Sequence, residues 1–293
     1  MAILKRDDDA LAERAAQVLA TAGGVAESAL RKELGHGPVA ARRSIAQLLL
    51  KRPTVAAVDA LLDQLGDHDL GEQVLQLVRH ELDAGDDKLT ELVAKAASGR
   101  VGDSGKRLDK ELARVEKDHA KAVPATSKAK PKAKPKAADG DKAAAPFDPT
   151  RDPAVVPLLA EHTALLRLLG YLARPQAQAL LVAQAAADRP RPVRFAAIAA
   201  LRRIVAASEA KGTDAAIEAL IDYADGDDLG IAQTAIDTLR GARIPERLAK
   251  AFAGLAKSKN PAAQKLAMER LPAGGGAGAV KALIDALGGD DVT

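Results

Sequence analysis

The segment R-P-V-R-F-A-A-I-A-A-L-R-R-I-V, residues 191–205, decides the fold. Its apolar residues recur at spacings of three and four, which places one set on a single helix face: Val193, Ala197, Ala200, Leu201 and Ile204. Pro192 suits a first helical position, because the N–H that it lacks would have no intrahelical partner there. The segment therefore predicts a helix that starts at the proline and buries one stripe.

Similar segments recur along the chain, which is typical of a repeat protein. The shared pattern is an apolar or small residue, another four positions later, and a pair at seven and eight; it begins again at Ala41, Leu70, Ile231 and Ala263. Neighbouring repeats are offset by about 29 to 38 residues, the length of one helical hairpin. Partner helices with the same period are predicted over 55–65, 177–187, 214–224, 245–256 and 279–287. No strand is predicted, because β-branched residues are sparse and do not alternate with polar ones.

The longer segment D-R-P-R-P-V-R-F-A-A-I-A-A-L-R-R-I, residues 188–204, resembles the second helix of a HEAT repeat, with that family's proline, its V-R pair and its A-x-x-A-L core. The other units match the apolar positions but mostly lack the V-R pair, and Arg42 beside Ala41 is a partial match. The resemblance covers most of residues 10–100 and 153–293. It implies an all-α fold, an α-solenoid of antiparallel helix pairs, which is commonly used to bind proteins.

The composition narrows the function classes. Apolar residues make up 47% of the chain and aromatic residues 2%, so the core must consist of small and branched side chains, which suit stacked helices better than a large ligand cavity. The chain has no cysteine, which excludes disulfides, thiolate metal sites and cysteine nucleophiles. No histidine, serine or glycine-rich stretch has the spacing of a known catalytic motif. We therefore expect no enzymatic activity, no cofactor and no metal.

Residues 120–150 interrupt the repeats with a Lys-, Pro- and Ala-rich segment. Such a segment cannot bury enough apolar surface to offset its ordering entropy, so it is predicted to be a disordered linker or loop. The predicted division is 1–119 and 151–293, each of HEAT-like repeats, joined by 120–150. The segment either joins two solenoids or loops out of one continuous solenoid, in which a helix at 104–119 stacks against 155–162. We favour the second, because a long loop adds little closure entropy.

The chain ends at G-G-D-D-V-T, where another second helix is expected. Solenoids normally end in a polar capping helix. Either the sequence is truncated at Thr293 or its last helix packs unpaired.

Arginines on the second helices are the first candidate site, because in such solenoids these helices usually line the concave face that partners bind. They could form a basic groove for an acidic peptide or for phosphates. The candidates are Arg42, Arg43, Arg79, Arg202, Arg203, Arg240 and Arg270. The alternative is that some are solvated or structural. In the HEAT V-R pair the arginine usually bonds neighbouring turns, so Arg194 is expected to be structural.

The interruption is the second candidate site, because lysines fall on every second residue: Lys128, Lys130, Lys132, Lys134 and Lys136. They could neutralise the phosphates of a nucleic acid or contact an acidic partner, with binding that falls as salt rises. Without interleaved aromatic residues such binding would be non-specific. The plainer interpretation is a solubilising linker.

The predicted function is a non-enzymatic protein–protein interaction scaffold; the alternative is nucleic-acid binding through the basic linker and the arginine face. The few aromatics are scattered, and Phe195 and Phe252 are expected to be buried. A role like that of the HEAT-like phycobilin lyases rests on fold analogy alone, and the lack of cysteine counts against it. No secretory signal is predicted, since the N-terminus becomes acidic before an apolar segment forms. Apolar runs are too short to span a bilayer, so cytoplasmic localisation is expected.

Overall fold

The computed structural model describes residues 24–122, 147–207 and 212–274. These ranges contain helices, turns and no strand, so the prediction of an all-α fold is confirmed. In chain order the α-helices are α1 Gly24–Leu34, α2 Val39–Lys51, α3 Val55–Leu62, α4 Gly71–Asp83, α5 Asp87–Ala122, α6 Val156–Leu172, α7 Gln178–Gln184, α8 Arg191–Ala207, α9 Asp214–Ala224, α10 Leu229–Gly241, α11 Ala249–Gly254 and α12 Pro261–Gly274.

The helices stack in two layers. Odd-numbered helices contact odd-numbered ones (α1 with α3, α3 with α5, α7 with α9, α9 with α11), and each even-numbered helix contacts the next from α2 to α12. Pairs such as α5 and α6, or α9 and α10, join the layers. The even helices pack against each other more extensively than the odd ones. The described chain is therefore an α-solenoid.

The periodic stripe of the opening segment lies in the core. Val193, Ala197, Ala200, Leu201 and Ile204 on α8 are all at most 2% exposed. Most of the equivalent residues are buried in the other repeats, and Leu48 and Leu77 are half-buried. The buried ones are Ala41, Ile45, Leu49, Leu70, Val74, Val78, Ile231, Ala235, Leu239, Ala263 and Ala267. One hydrophobic cluster runs from Leu30 to Ala267, so each repeat depends on its neighbours for its core.

The helices α6 and α8, which are neighbours in the even layer, cross at an unusually short distance. A Cβ atom built on Gly170 would lie 2.4 Å from the Cα and 2.5 Å from the Cβ of Ala200. Only glycine fits there, since real Cβ atoms do not approach other atoms so closely. The backbones of α6 and α8 therefore touch at this crossing.

Acidic residues stand at the start of several helices and cap the first turn. Asp228 accepts hydrogen bonds from the backbone N–H groups of Gly230 and Ile231 at the start of α10. Asp86 accepts one from Leu89 at the start of α5. Thr213 precedes α9 but its side chain makes no capping bond.

Several boundaries differ from the sequence expectation. The helix predicted over 104–119 is part of α5, which is 36 residues long and ends at Ala122, inside the segment assigned to the linker. The helix predicted over 245–256 is a short α11 between 3₁₀ turns at Glu246–Leu248 and Leu255–Lys257. Pro245 precedes the first of these turns instead of starting a helix.

The chain on one side of the interruption contacts the chain on the other, because α5 packs along α6. Residues 123–146 lie outside the described residues, as do 1–23 and 275–293. The predicted linker, the predicted helix over 279–287 and the expectation about Thr293 therefore stay predictions, and so does the division into domains. No helix among the described residues is long and apolar enough to cross a membrane.

Phe195 is placed differently from the expectation. Phe252 is 1% exposed and lies in the core, but Phe195 is 45% exposed. Phe195 is two positions after Val193, about 200° around the helix, so it points away from the buried stripe. The expectation that Phe195 is buried was wrong, because it followed the residue's apolar character and not its position on the helix.

Candidate binding face

The predicted arginines divide into those used inside the fold and those left on the surface of the even helices. We call that surface, carried by α2, α4, α6, α8, α10 and α12, the even face. Arg43, Arg202, Arg203 and Arg240 are exposed, Arg79, Arg194 and Arg270 are half-buried, and Arg42 is buried. The structure therefore does not bring all the predicted residues into one groove.

Arg42 on α2 is 8% exposed and belongs to the interior. Its Nε donates to the Leu34 carbonyl at 2.8 Å, and its Nη2 donates to Gln64 Oε1 at 2.9 Å and to Asp67 Oδ2 at 2.6 Å. Burial alone would raise the pKa of Asp67, but hydrogen bonds from Arg42 and from two backbone N–H groups outweigh it and lower that pKa. Arg42 thus ties the first repeat to the second, and its guanidinium is not presented to a partner.

We expect Arg42→Gln to lower the free energy of unfolding by about 2 kcal/mol, because the Leu34 carbonyl loses its side-chain donor and the Asp67 carboxylate loses its guanidinium partner. The figure is below that of a fully buried ion pair, since the Asp67 side chain is 29% exposed. Arg43→Gln is the matched control, since it removes the same charge at the next, exposed residue. Urea unfolding followed by circular dichroism measures both, and equal losses would contradict the interior role of Arg42.

Arg79 and Arg203 meet on the even face over one aromatic ring. The guanidinium carbon of Arg79 on α4 lies 4.8 Å from the centroid of the Tyr171 ring, and that of Arg203 on α8 lies 5.4 Å from it. Both distances are within the range of cation–π attraction. We call Arg79, Tyr171 and Arg203, with Asp83, the Tyr171 cluster. It is built by three successive even helices, because Tyr171 lies in the last turn of α6 between them.

Asp83 completes the cluster by accepting a hydrogen bond from the Tyr171 hydroxyl. Burial and then the hydrogen-bonded carboxylate raise the pKa of Tyr171, so the phenol stays protonated and donates to Asp83. One helical turn before Tyr171, Arg167 pairs with Glu72 at 3.2 Å. Of the arginines here, Arg167 is thus neutralised, whereas Arg79 and Arg203 form no ion pair with any described carboxylate.

The other predicted arginines, Arg202, Arg240 and Arg270, lie on the even helices. Arg202 borders a cleft of about 490 Å³ between α8 and α10, opposite Arg243 and Asp237. The Nη1 of Arg240 lies 3.7 Å from Oδ1 of Asp237, one turn earlier on the same helix. Arg270 donates to the Ala242 carbonyl at 2.7 Å, at the end of α10, where a cation also favours the helix dipole. The lysines predicted between 128 and 136 lie outside the described residues.

A buried polar network joins α5, α6 and α7 away from this face. His162 is fully buried between Ser104 Oγ, 2.8 Å from its Nδ1, and Gln184 Oε1, 2.9 Å from its Nε2. Burial lowers the pKa of His162, so the ring is neutral at pH 7. Because Arg189 also donates to Gln184 Oε1, that oxygen is an acceptor, and His162 donates from Nε2 and accepts from Ser104.

Ser104 and His162 have the residue types of a nucleophile and its base, but they are sealed from solvent at 1% and 0% exposure. Arg189 extends the network to Asp109 on α5 at 2.7 Å. Few direct contacts join α5 to α7, and these hydrogen bonds bridge them through α6. The network therefore stabilises the packing of α5 and α7 against α6, the helix that follows the interruption. No His, Asp or Glu group in the described ranges is arranged to hold a metal ion.

Tyr171 and Asp83 were not among the predicted site residues. The sequence signal for Tyr171 was weak, since the helix was expected only over 155–162, whereas α6 continues to Leu172. Its four-residue spacing from Arg167 would have placed both on one side of a longer helix.

No protein-family model matches the chain, and no curated protein matches it. Several solved structures are similar to it, including the two that follow. An engineered protein of the Northeast Structural Genomics Consortium is 17% identical over 98% of this chain and 80% of that one, with a TM-score of 0.37. The complex of CpcE and CpcF of phycocyanin lyase from Nostoc sp. PCC7120 is 20% identical over 98% of this chain and 92% of that one, with a TM-score of 0.31. The helical-repeat fold rests on the packing described above, and membership of the HEAT family stays a prediction.

The Nostoc structure corrects one prediction. The sequence led us to exclude an enzymatic role, but a phycocyanin lyase complex is among the structures that the chain is similar to. That exclusion was wrong and is withdrawn. The likeness does not assign lyase activity to this chain.

Proposed function

We propose that the chain is a helical-repeat scaffold that binds a protein partner on its even face. The observation that carries the proposal is the mixture of groups exposed there. Phe195, Leu229 and Met268 lie on the successive even helices α8, α10 and α12 and are 45%, 74% and 46% exposed. Aromatic residues, methionine and arginine are the types enriched in protein interfaces.

These apolar side chains share helix sides with arginines. Phe195 precedes Arg202 by seven residues, two helical turns, and Leu229 precedes Arg240 by eleven residues, three turns. The carboxylates of Glu72, Asp83 and Asp237 interrupt the positive charge on the same layer. A face of mixed sign with apolar groups suits a protein better than the uniform phosphate charge of a nucleic acid.

We also propose that the repeats before and after the interruption act as one array. The packing of α5 along α6 supports this, because it continues the core across 123–146. The lysine-rich segment keeps its predicted role as a linker.

The test is an affinity capture from the source lysate with the intact chain, with and without nuclease, read by quantitative mass spectrometry. The face variant is Arg79→Ser/Arg202→Ser/Arg203→Ser. The matched control is Lys106→Ser/Lys110→Ser/Lys117→Ser, which removes three exposed charges from α5 in the odd layer. We expect a protein that survives nuclease and the control changes but is lost with the face variant. Equal capture by both variants would refute the even face as the binding surface, and capture that nuclease abolishes would favour nucleic acid.

A further inference from the structure

The Tyr171 cluster has two positive groups held in fixed positions without a full counter-charge. Long arginine side chains usually lose much rotamer freedom when they bind a ligand. Here the half-buried Tyr171 ring already orients Arg79 and Arg203, from two different helices, over one point of the surface. The cluster is therefore pre-organised before any partner arrives.

The charges of the cluster do not balance. Within the cluster, the two guanidinium groups of Arg79 and Arg203 have one carboxylate beside them, Asp83, and that carboxylate accepts a hydrogen bond from the Tyr171 hydroxyl. The Nε–H of Arg79 is buried and has no acceptor among the described residues. The fold therefore leaves positive charge without a paired carboxylate at this point, unlike at Arg42 or Arg167, whose carboxylates are present.

We propose that the Tyr171 cluster is a carboxylate-binding site that anchors an acidic segment of a protein partner, an inference that rests on the proposed scaffold function. Guanidinium groups bind carboxylates through paired N–H donors in one plane, which a lysine ammonium lacks. The site is short and bounded by Asp83 and by the Arg167–Glu72 pair. It therefore accepts one or two carboxylates and not a long polyphosphate chain.

The probe is fluorescein-labelled hexaglutamate, with a labelled twelve-nucleotide oligo-dT as the phosphate arm, both titrated by fluorescence anisotropy at low salt. We expect Arg79→Gln/Arg203→Gln to weaken hexaglutamate binding about tenfold or more, because two charge-assisted contacts are lost. Lys110→Gln/Lys117→Gln is the matched control, since it removes equal charge from exposed positions of α5 in the odd layer, and it should change the Kd less than about twofold.

Two further variants distinguish a specific arrangement of the two arginines from a general electrostatic attraction. Tyr171→Leu removes no charge but releases both arginines, and it should weaken binding several-fold. Arg79→Lys/Arg203→Lys keeps the charge and the fold but loses the planar donors, and it should also weaken binding. Equal weakening by the control pair, undiminished binding in the lysine pair, or oligo-dT binding that depends on the same residues would overturn the proposal. If the face variant no longer captures the protein partner but hexaglutamate does not bind the parent chain, the proposed scaffold function is supported. Only the proposal that the Tyr171 cluster binds carboxylates is then refuted.

Discussion

Gly170→Ala is expected to lower the free energy of unfolding by about 3 kcal/mol, although it adds a single methyl group and a better helix former. The added Cβ would lie 2.4 Å from the Cα of Ala200, which no rotamer change can relieve because the obstacle is backbone. The helices α6 and α8 would have to separate, and every buried side chain between them would lose contacts. Urea unfolding followed by circular dichroism at 222 nm measures the loss.

Gly99→Ala is the control, because Gly99 lies within α5 and a Cβ added there would meet no atom of a neighbouring element within 4 Å. There the same change should stabilise the chain by about 0.5–1 kcal/mol, through helix propensity alone. If glycine-to-alanine lowers the free energy of unfolding at Gly170 but raises it at Gly99, the close crossing of α6 and α8 is the cause of the loss. Ala200→Gly in the Gly170→Ala background should recover part of the loss, since it removes one of the two clashing atoms. A Gly170→Ala variant as stable as the parent chain would show that the two helices do not touch.

The contrast between Gly170 and the stripe on α8 shows what the sequence could predict. Val193, Leu201 and Ile204 were predicted to be buried because helical period alone decides which side they occupy. The repeat pattern then implied stacking. No local pattern marks Gly170, because its role depends on a backbone thirty residues later in the chain.

The arginines show the same limit at the candidate site. Arg42 and Arg43 are adjacent and chemically identical, yet Arg42 is buried because Asp67, on a turn of the next repeat, lies within reach. The Tyr171 cluster needs α4, α6 and α8 to be placed side by side before its residues can meet. Periodicity predicts which face a side chain occupies, but contacts between repeats depend on how closely and at what angle the helices pack.

Leu201→Asp is expected to unfold the repeats around α8, with a loss of about 4 kcal/mol or more. Leu201 is fully buried, so the change removes an apolar side chain from the core. It also places a carboxylate among the apolar side chains of that core, without a hydrogen-bond donor or a cation among the described core residues. Because the core is continuous from repeat to repeat, the loss should reach the neighbouring helices and appear as a large drop in helicity at 25 °C.

Phe195→Asp is the matched control on the same helix. Phe195 is 45% exposed, so the introduced carboxylate would remain hydrated, and the loss should stay below about 1 kcal/mol. The pH dependence separates charge from lost packing. Burial raises the folded-state pKa of the carboxyl group that Leu201→Asp introduces, so the folded chain binds more protons than the unfolded one above about pH 4. Stability of Leu201→Asp should therefore fall as pH rises from about 5 to about 8, whereas that of Phe195→Asp should not. Similar losses for the two variants would mean that α8 does not bury the stripe on which the fold prediction depends.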